Sequence, residues 1–354
     1  MDAPATWPSL ISTLIKGKAL TSSDTAWAMN EIMDGAATPA QIAGFGVALR
    51  MKGETVAEVS GMAEAMLAHA TPISLPGPLV DLVGTGGDVA HTVNISTMGA
   101  IVAAAAGARV AKHGNRAATS ACGAADVLEA LGVAIDLPPP ASVRLAEEIG
   151  IVFLFAPLYH PALRHAGPVR KELGVPTVFN FLGPVANPAR PGAQAVGVAD
   201  PRMGGILAGV LAGRGCSALV FHGDDGLDEL TTADTSTVWV AHGGEVSRTR
   251  LDPEVLGLAR SKRGDLRGGD AAHNAGVARA VLSGEAGPIR DTVVLNAGAA
   301  LAAATGVPGA EGLEKALADG CARASATLDS GAAFELLGRW IAVSQRLAAD
   351  ARAK

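Results

Sequence analysis

The sequence predicts an α/β protein, with a small all-helical N-terminal domain and a larger α/β domain on a mostly parallel central sheet. Two changes of pattern carry that expectation. Up to about Ala70, apolar residues recur only at helical spacing. Beyond the Pro-rich stretch TPISLPGP, short apolar runs alternate with helical stretches, as parallel βα units do. The expected division is a helical domain over residues 1–72 and an α/β domain over 78–354.

Within the first part, SSDTAWAMNEIMDG offers a Ser/Asp start and a Gly stop. TPAQIAGFGVALRMKG places Thr38 as N-cap and Pro39 at the first helical position. In ETVAEVSGMAEAMLAHA, Thr55 and Glu58 stand at capping-box spacing. Within the second part, LVDLVG, ARVAKHG, IVFLFAP, AQAVGV and SALVFHG read as strands. TVWVAHGGEVSRTRL reads as a hairpin turning at Gly243–Gly244. The segment HPALRHAGPVRKELGVPTVFNFLGPVANP has too many Pro and Gly for a plain βα unit. It is expected to leave the α/β domain over about residues 160–190 and pack on the helical one.

Composition narrows the function. In 354 residues, 49% are hydrophobic and 18% charged, and the net charge is −6. That balance argues against a general nucleic-acid surface, which needs basic stripes. The three cysteines lack CxxC spacing and read as reduced. The N-terminus does not read as a signal peptide, and the longest uncharged run is too polar for a membrane helix. A cytoplasmic protein is expected.

Three loops carry candidate chemistry. In DLVGTGGDVAHTVNIST, glycines follow a strand and precede a helix, with Ser96 or Thr97 as the expected cap. Glycine turns and helix starts present N–H groups to anions. The pattern is neither GxGxxG nor Walker A, and a plain tight βα turn is the alternative. An aspartate, Asp88, stands in the middle of this loop, where an anion would be expected to bind. In KHGNRAATSACG, Lys112, His113 and Arg116 put positive charge after a second strand, where open α/β sheets bind ligands. Asn115, Thr119 and Ser120 add hydrogen-bonding side chains; a solvated surface turn is the alternative. In FHGDDGLDEL, Asp224, Asp225, Asp228 and Glu229 crowd six positions, and a divalent cation such as magnesium would relieve their repulsion. The alternative is an acidic first turn of a helix. Arg170 in GPVRKELG is either a surface charge or a bidentate clamp on a carboxylate. Cys122 has no base–orienter set that would make it a nucleophile.

Taken in order, GTGGD, NIST, KHGNR, GADVLEALG, PVRKELG, NFLGPVANP and DGLDEL resemble the anthranilate phosphoribosyltransferase family of tryptophan biosynthesis. The resemblance runs over nearly the whole chain. It implies the nucleoside phosphorylase type of fold and a homodimer joined through the helical domains. It implies transfer of the phosphoribosyl group of 5-phosphoribosyl 1-pyrophosphate to the amine of anthranilate, with release of pyrophosphate. It also implies magnesium, two ions per subunit; since anthranilate's arylamine is neutral at pH 7, no residue is named as a general base.

By the same resemblance, Gly84, Gly87, Asp88, Thr92, Asn94, Ile95, Ser96 and Thr97 contact phosphoribosyl pyrophosphate. So do Lys112, His113, Gly114, Asn115, Arg116, Ala117, Ala118, Thr119, Ser120 and Cys122. Gly84, Asn115 and Arg170 contact anthranilate; Ser96, Asp228 and Glu229 hold the metal. The sequence departs from the family pattern at Val89, where Gly is usual, and at His91, where a small residue is usual. It departs again at Ala117, Ala118 and Ala121, the last replacing a common Lys. A pyrimidine nucleoside phosphorylase of the same fold is one alternative, and a non-catalytic nucleic-acid-binding relative another.

Overall fold

A computed structural model describes residues 5–117 and 121–353. Its first four helices are α1 (Trp7–Ile15), α2 (Ser22–Met33), α3 (Pro39–Lys52) and α4 (Val56–Ala68). Each is capped by a threonine hydroxyl: Thr6, Thr21, Thr38 and Thr55. In each case the residue three positions on bonds back, forming a capping box. Each cap is worth about 1 kcal/mol. The cap of α2 is Thr21, one residue ahead of the Ser/Asp stretch that the sequence suggests as its start. Glu58 is fully buried because it also accepts the Leu20 amide and pairs with Lys52 at 2.5 Å.

The sheet follows. Its strands and the helices between them are β1 (Leu79–Gly84), α5 (Ile95–Ala105), β2 (Arg109–Gly114), α6 (Ala124–Leu131), α7 (Pro139–Ile149) and β3 (Ile151–Phe155). Then come α8 (Ala156–Tyr159), α9 (Gly167–Leu173), β4 (Ala193–Gly197), α10 (Pro201–Gly213), β5 (Ser217–Gly223), β6 (Ser236–His242) and β7 (Glu245–Leu251). Four helices close the chain: α11 (Ala271–Leu282), α12 (Pro288–Thr305), α13 (Leu313–Asp329) and α14 (Ala332–Arg352). The seven strands lie in the order β3-β2-β1-β4-β5-β6-β7. The pairings from β3 across to β5 are parallel, while β6 and β7 are antiparallel to their neighbours. The β6–β7 turn uses Gly243 and Gly244 at φ 60° and 86°, the left-handed values a tight hairpin requires.

Alternation along the strands divides the core between two faces. On β5, Leu219 and Phe221 join the cluster that includes α5, α12 and α13 residues, whereas Ala218 and Val220 join the cluster shared with α1–α4 and α10. Ala166, Val169, Phe179 and Val185, from the Pro- and Gly-rich segment, sit in that second cluster. Among the described residues, no helix is long and apolar enough to cross a membrane.

The crossovers decide where a site can form. The chain runs outward from β1 to β2 and β3, then returns to β4 on the other side of β1. The carboxyl ends of β1 and β4 therefore flank a topological switch point, where open α/β sheets leave a crevice.

Candidate active site

Two glycines pair at that switch point, Gly84 at the end of β1 and Gly197 at the end of β4. Both are required by one neighbour. A Cβ on Gly84 would stand 2.2 Å from Asp228 Oδ2, and one on Gly197 would stand 1.6 Å from the Asp228 carbonyl oxygen. The acidic segment thus lies directly on the strand ends. Of its four carboxylates only two face the loop. Asp224 pairs with Arg250 at 2.8 Å, and Asp225 accepts the Thr231 hydroxyl at 2.8 Å. No helix follows to make this an acidic first turn; residues 224–235 are turns and bends.

Asp228 Oδ2 accepts the Gly86 amide at 2.7 Å. Burial, then the neighbouring charge of Asp88, pushes the Asp228 carboxyl up to about 7. Glu229 is pushed well above the usual carboxylate range by burial and by Asp228, against the pull of Lys112. Its Oε1 accepts the Ser96 amide at 3.2 Å, while its buried Oε2 has no hydrogen-bond partner. Three mutually repelling carboxylates with a buried orphan oxygen form a poor site without a cation and a good one with it. Among the described residues, no group of three or more His, Cys, Asp or Glu side chains is placed to hold a metal ion. An incomplete oxygen set suits magnesium, which keeps waters and takes substrate phosphate oxygens. The orphan oxygen of Glu229, beside the Asp228 carboxyl, suits an ion held in this way.

The glycine loop itself carries unusual backbone. Gly86 and Gly87 lie at φ 70° and 87°, and so, at 57° and 52°, do Val89 and His91. A β-branched residue in this region is strained, by about 1–2 kcal/mol. The two departures from the family pattern therefore stand where the backbone favours glycine. Asp88 Oδ1 accepts the Ala90 amide at 3.1 Å, which closes the turn, and its carboxyl also stands in hydrogen-bonding reach of Asp228.

Helix α5 starts differently from expectation. Asn94, not Ser96 or Thr97, occupies the cap position, and its side chain makes no cap bond. It donates instead to the Cys122 carbonyl at 3.1 Å. Ile95 and Thr97 are buried beneath the loop, and Thr92 pairs with Arg267 as an isolated bridge. The carboxylate at this helix start is the protein's own Glu229, held through the Ser96 amide.

The basic stretch is split by the strand it ends. Lys112 and His113 lie within β2, so they point to opposite faces. Lys112 Nζ donates to the Leu82 carbonyl at 2.6 Å and the Ser96 hydroxyl at 3.3 Å, behind the acidic pair. The His113 Nδ1 donates to the Gly183 carbonyl at 3.2 Å, and the ring lies 5.3 Å from that of His160, tilted by 60°. Burial and His160 push it down to about 3, so it is neutral. Gly114 lies against the Phe153 ring, where a Cβ would come within 2.9 Å.

After the strand, Asn115 Oδ1 accepts the Arg116 amide at 2.7 Å. The Arg116 guanidinium is engaged by Asp126 and Glu129. The Ala117 amide donates to Asp126 at 3.0 Å. Ala118, Thr119 and Ser120 lie outside the described residues. Burial holds the Cys122 thiol up at about 11, which keeps it protonated at neutral pH. Arg170, on α9, is partly buried, which lowers its pKa, and among the described residues it has no ion pair or side-chain hydrogen bond.

Sequence reasoning missed the residues that support these loops. Gly123 is one: a Cβ would meet the Ala117 amide nitrogen at 2.3 Å. Asp126 accepts the Ala117 and Gly123 amides and fixes the turn. The segment Leu266–Asn274 runs beside Thr92–Asn94, and only its Gly-Gly-Asp string hinted at a fixed turn.

Comparison with known proteins is consistent with this arrangement. The model of a glycosyl transferase family a/b domain matches residues 76–334, and that of a glycosyl transferase family helical bundle domain matches residues 8–70. An anthranilate phosphoribosyltransferase of Thermobifida fusca is 61% identical over 340 residues, covering 96% of this chain and 97% of its own length. The chain belongs to the anthranilate phosphoribosyltransferase family. The crystal structure of the anthranilate phosphoribosyltransferase from Thermus thermophilus superimposes with a TM-score of 0.88 at 43% identity, over 95% of this chain and 99% of that one. The anthranilate phosphoribosyltransferase of Saccharomyces cerevisiae, in complex with phosphoribosyl pyrophosphate and magnesium, gives 0.86 at 28% identity, over 97% and 99%. Family membership places the small helical domain and the larger α/β domain in one enzyme fold.

Proposed function

We propose that this protein transfers the phosphoribosyl group of phosphoribosyl pyrophosphate to the amine of anthranilate, yielding N-(5-phosphoribosyl)anthranilate and pyrophosphate. The observation that carries the reading is the Asp228–Glu229 pair, the first half-buried and the second buried, set against a glycine loop at the sheet's switch point. Magnesium, when bound, supplies positive charge against the diphosphate that leaves. Ser96, Asp228 and Glu229 would hold it, and two ions per subunit are proposed. The backbone of Gly84–Asp88 and Asn94–Thr97, with the Asn115–Cys122 loop, would cradle the phosphates and ribose. Lys112 acts from behind, by orienting Ser96 and balancing Glu229.

Anthranilate's arylamine is neutral at pH 7 and needs no strong base, so orientation is the chain's main task. Arg170 is a partly buried guanidinium without an ion pair among the described residues, and it would clamp the anthranilate carboxylate. Asn115 and Gly84 would complete that contact. Residues 1–72, with the returning segment near 160–190, are taken as the helical domain, and 78–354 as the α/β domain.

A homodimer through the helical domains is proposed as well. Ile15 and Met51, 75% and 81% exposed, lie with Val47 on one apolar face of α1 and α3. Such a patch is usual for an interface. Family membership supports a cytoplasmic biosynthetic role. Loss of anthranilate fluorescence on adding phosphoribosyl pyrophosphate and magnesium tests the activity; no loss with the purified chain overturns it.

A further inference from the structure

The Leu266–Asn274 segment belongs to none of the motifs that carry the chemistry, yet it is bonded to one of them along its length. The Val93 amide donates to the Leu266 carbonyl at 3.0 Å, and the Gly268 amide donates to the His91 carbonyl at 2.8 Å. Thr92 and Arg267 pair between these two bonds. The strap is therefore a short antiparallel pairing laid on the strained part of the glycine loop. Leu266 anchors one end by full burial.

Asn274 fixes the other end. It is buried, in the first turns of α11, where Asn is a poor helix former. Its Oδ1 accepts the Gly269 amide at 2.8 Å, and its Nδ2 donates to Asn94 Oδ1 at 2.9 Å. Its side chain also hydrogen-bonds Cys122. Asn94 in turn donates to the Cys122 carbonyl at 3.1 Å. One buried amide thus joins the strap, the start of α5 and the loop after β2. A Cβ on Gly268 would stand 2.8 Å from the Thr92 carbonyl oxygen and 2.9 Å from Asn274 Oδ1, so the strap fits only without a side chain there.

We infer that Asn274 is a positioning residue for phosphoribosyl pyrophosphate, holding the Asp88–Thr97 loop and the Cys122 loop in register through Asn94. This rests on the reading of those loops as the phosphoribosyl pyrophosphate site. Asn94 and Cys122 touch the substrate in that reading; Asn274 acts through them. The network bonds the Cys122 end of the loop after β2 and neither Asn115 nor Arg170, so loosening it weakens binding of the diphosphate substrate and leaves the anthranilate contacts largely in place.

Steady-state kinetics of Asn274→Asp and Gly268→Ala test it, with KM measured for each substrate separately. Asn274→Asp keeps the Gly269 acceptor and turns the donor toward Asn94 into a second acceptor. Gly268→Ala disturbs the same contacts with every site side chain unchanged. The expected result is a tenfold or larger rise in KM for phosphoribosyl pyrophosphate in both, with KM for anthranilate within twofold. Unchanged KM for phosphoribosyl pyrophosphate in a folded variant overturns the inference. So does an equal rise in both KM values, which marks general damage. If Asn274→Asp does not fold, Gly268→Ala decides alone. If the wild-type chain itself turns over neither substrate, the site reading has failed and the inference falls with it.

Discussion

Asp228 lies against Gly84 so closely that a Cβ on the glycine would stand 2.2 Å from the Asp228 Oδ2. The acidic segment and the first glycine of the phosphate loop are therefore one built unit. The same oxygen accepts the Gly86 amide, so displacing Asp228 also frees the loop. Gly84→Ala is expected to lower kcat/KM by 100-fold or more, because the added methyl drives Asp228 off its place. Kinetics beside a thermal melt checks this; near-wild-type activity would show that the contact is dispensable.

Arg170 offers a different signature. It has no ion pair among the described residues, so Arg170→Ala removes packing but breaks no bond network. The stability change should stay within about 1 kcal/mol. KM for anthranilate should rise tenfold or more, a loss of about 1.4 kcal/mol of binding, with KM for phosphoribosyl pyrophosphate unchanged. Arg170→Lys should not restore it, since a lysine cannot make the bidentate contact.

Val89 tests backbone strain. At φ 57° and 70% exposed, its side chain is disfavoured by the backbone and buries little. Val89→Gly relieves about 1–2 kcal/mol of strain and gives back up to about 1 kcal/mol of chain entropy. Urea unfolding should find the variant equal to wild type or up to about 2 kcal/mol more stable. A clear loss of stability would mean that the loop holds Val89 by contacts stronger than the strain.

Asp81 gives a pH dependence with a definite sign. It is fully buried, and burial raises it to about 6 despite Lys112, the Asn187 amide and the His113 amide. The folded state thus holds the proton more tightly than the unfolded chain does. The contribution to stability is greatest below pH 4 and falls as pH rises from about 4 to 6, by up to about 3 kcal/mol. The difference in unfolding free energy between wild type and Asp81→Asn should shrink across that window. A difference that grows with pH would reverse the assignment.

The reading from sequence went furthest where local pattern suffices. The strands β1 to β5 are legible as apolar runs closed by glycine or, for β3, by Ala-Pro, and the caps at Thr38 and Thr55 as side-chain chemistry at fixed spacing. It went less far where partners come from distant segments. KHGNR reads as one basic cluster, but strand alternation sends Lys112 behind Glu229 and His113 to the opposite face, while Asp126 and Glu129 take up Arg116. The start of α5 reads as an anion site, and the sequence does not show that Glu229, from 133 residues away, accepts the Ser96 amide there. The Val89 departure had no explanation in the sequence; the backbone angle supplies one, a position that favours glycine.

The central claim is that Asp228 and Glu229 hold the magnesium on which transfer depends. Its most direct test is anthranilate fluorescence followed during turnover, with magnesium titrated into wild type and into the Asp228→Ala, Glu229→Ala double variant. Wild type should consume anthranilate only when magnesium is present, and the folded double variant should show no magnesium-dependent turnover. Unchanged turnover in the double variant would contradict the claim.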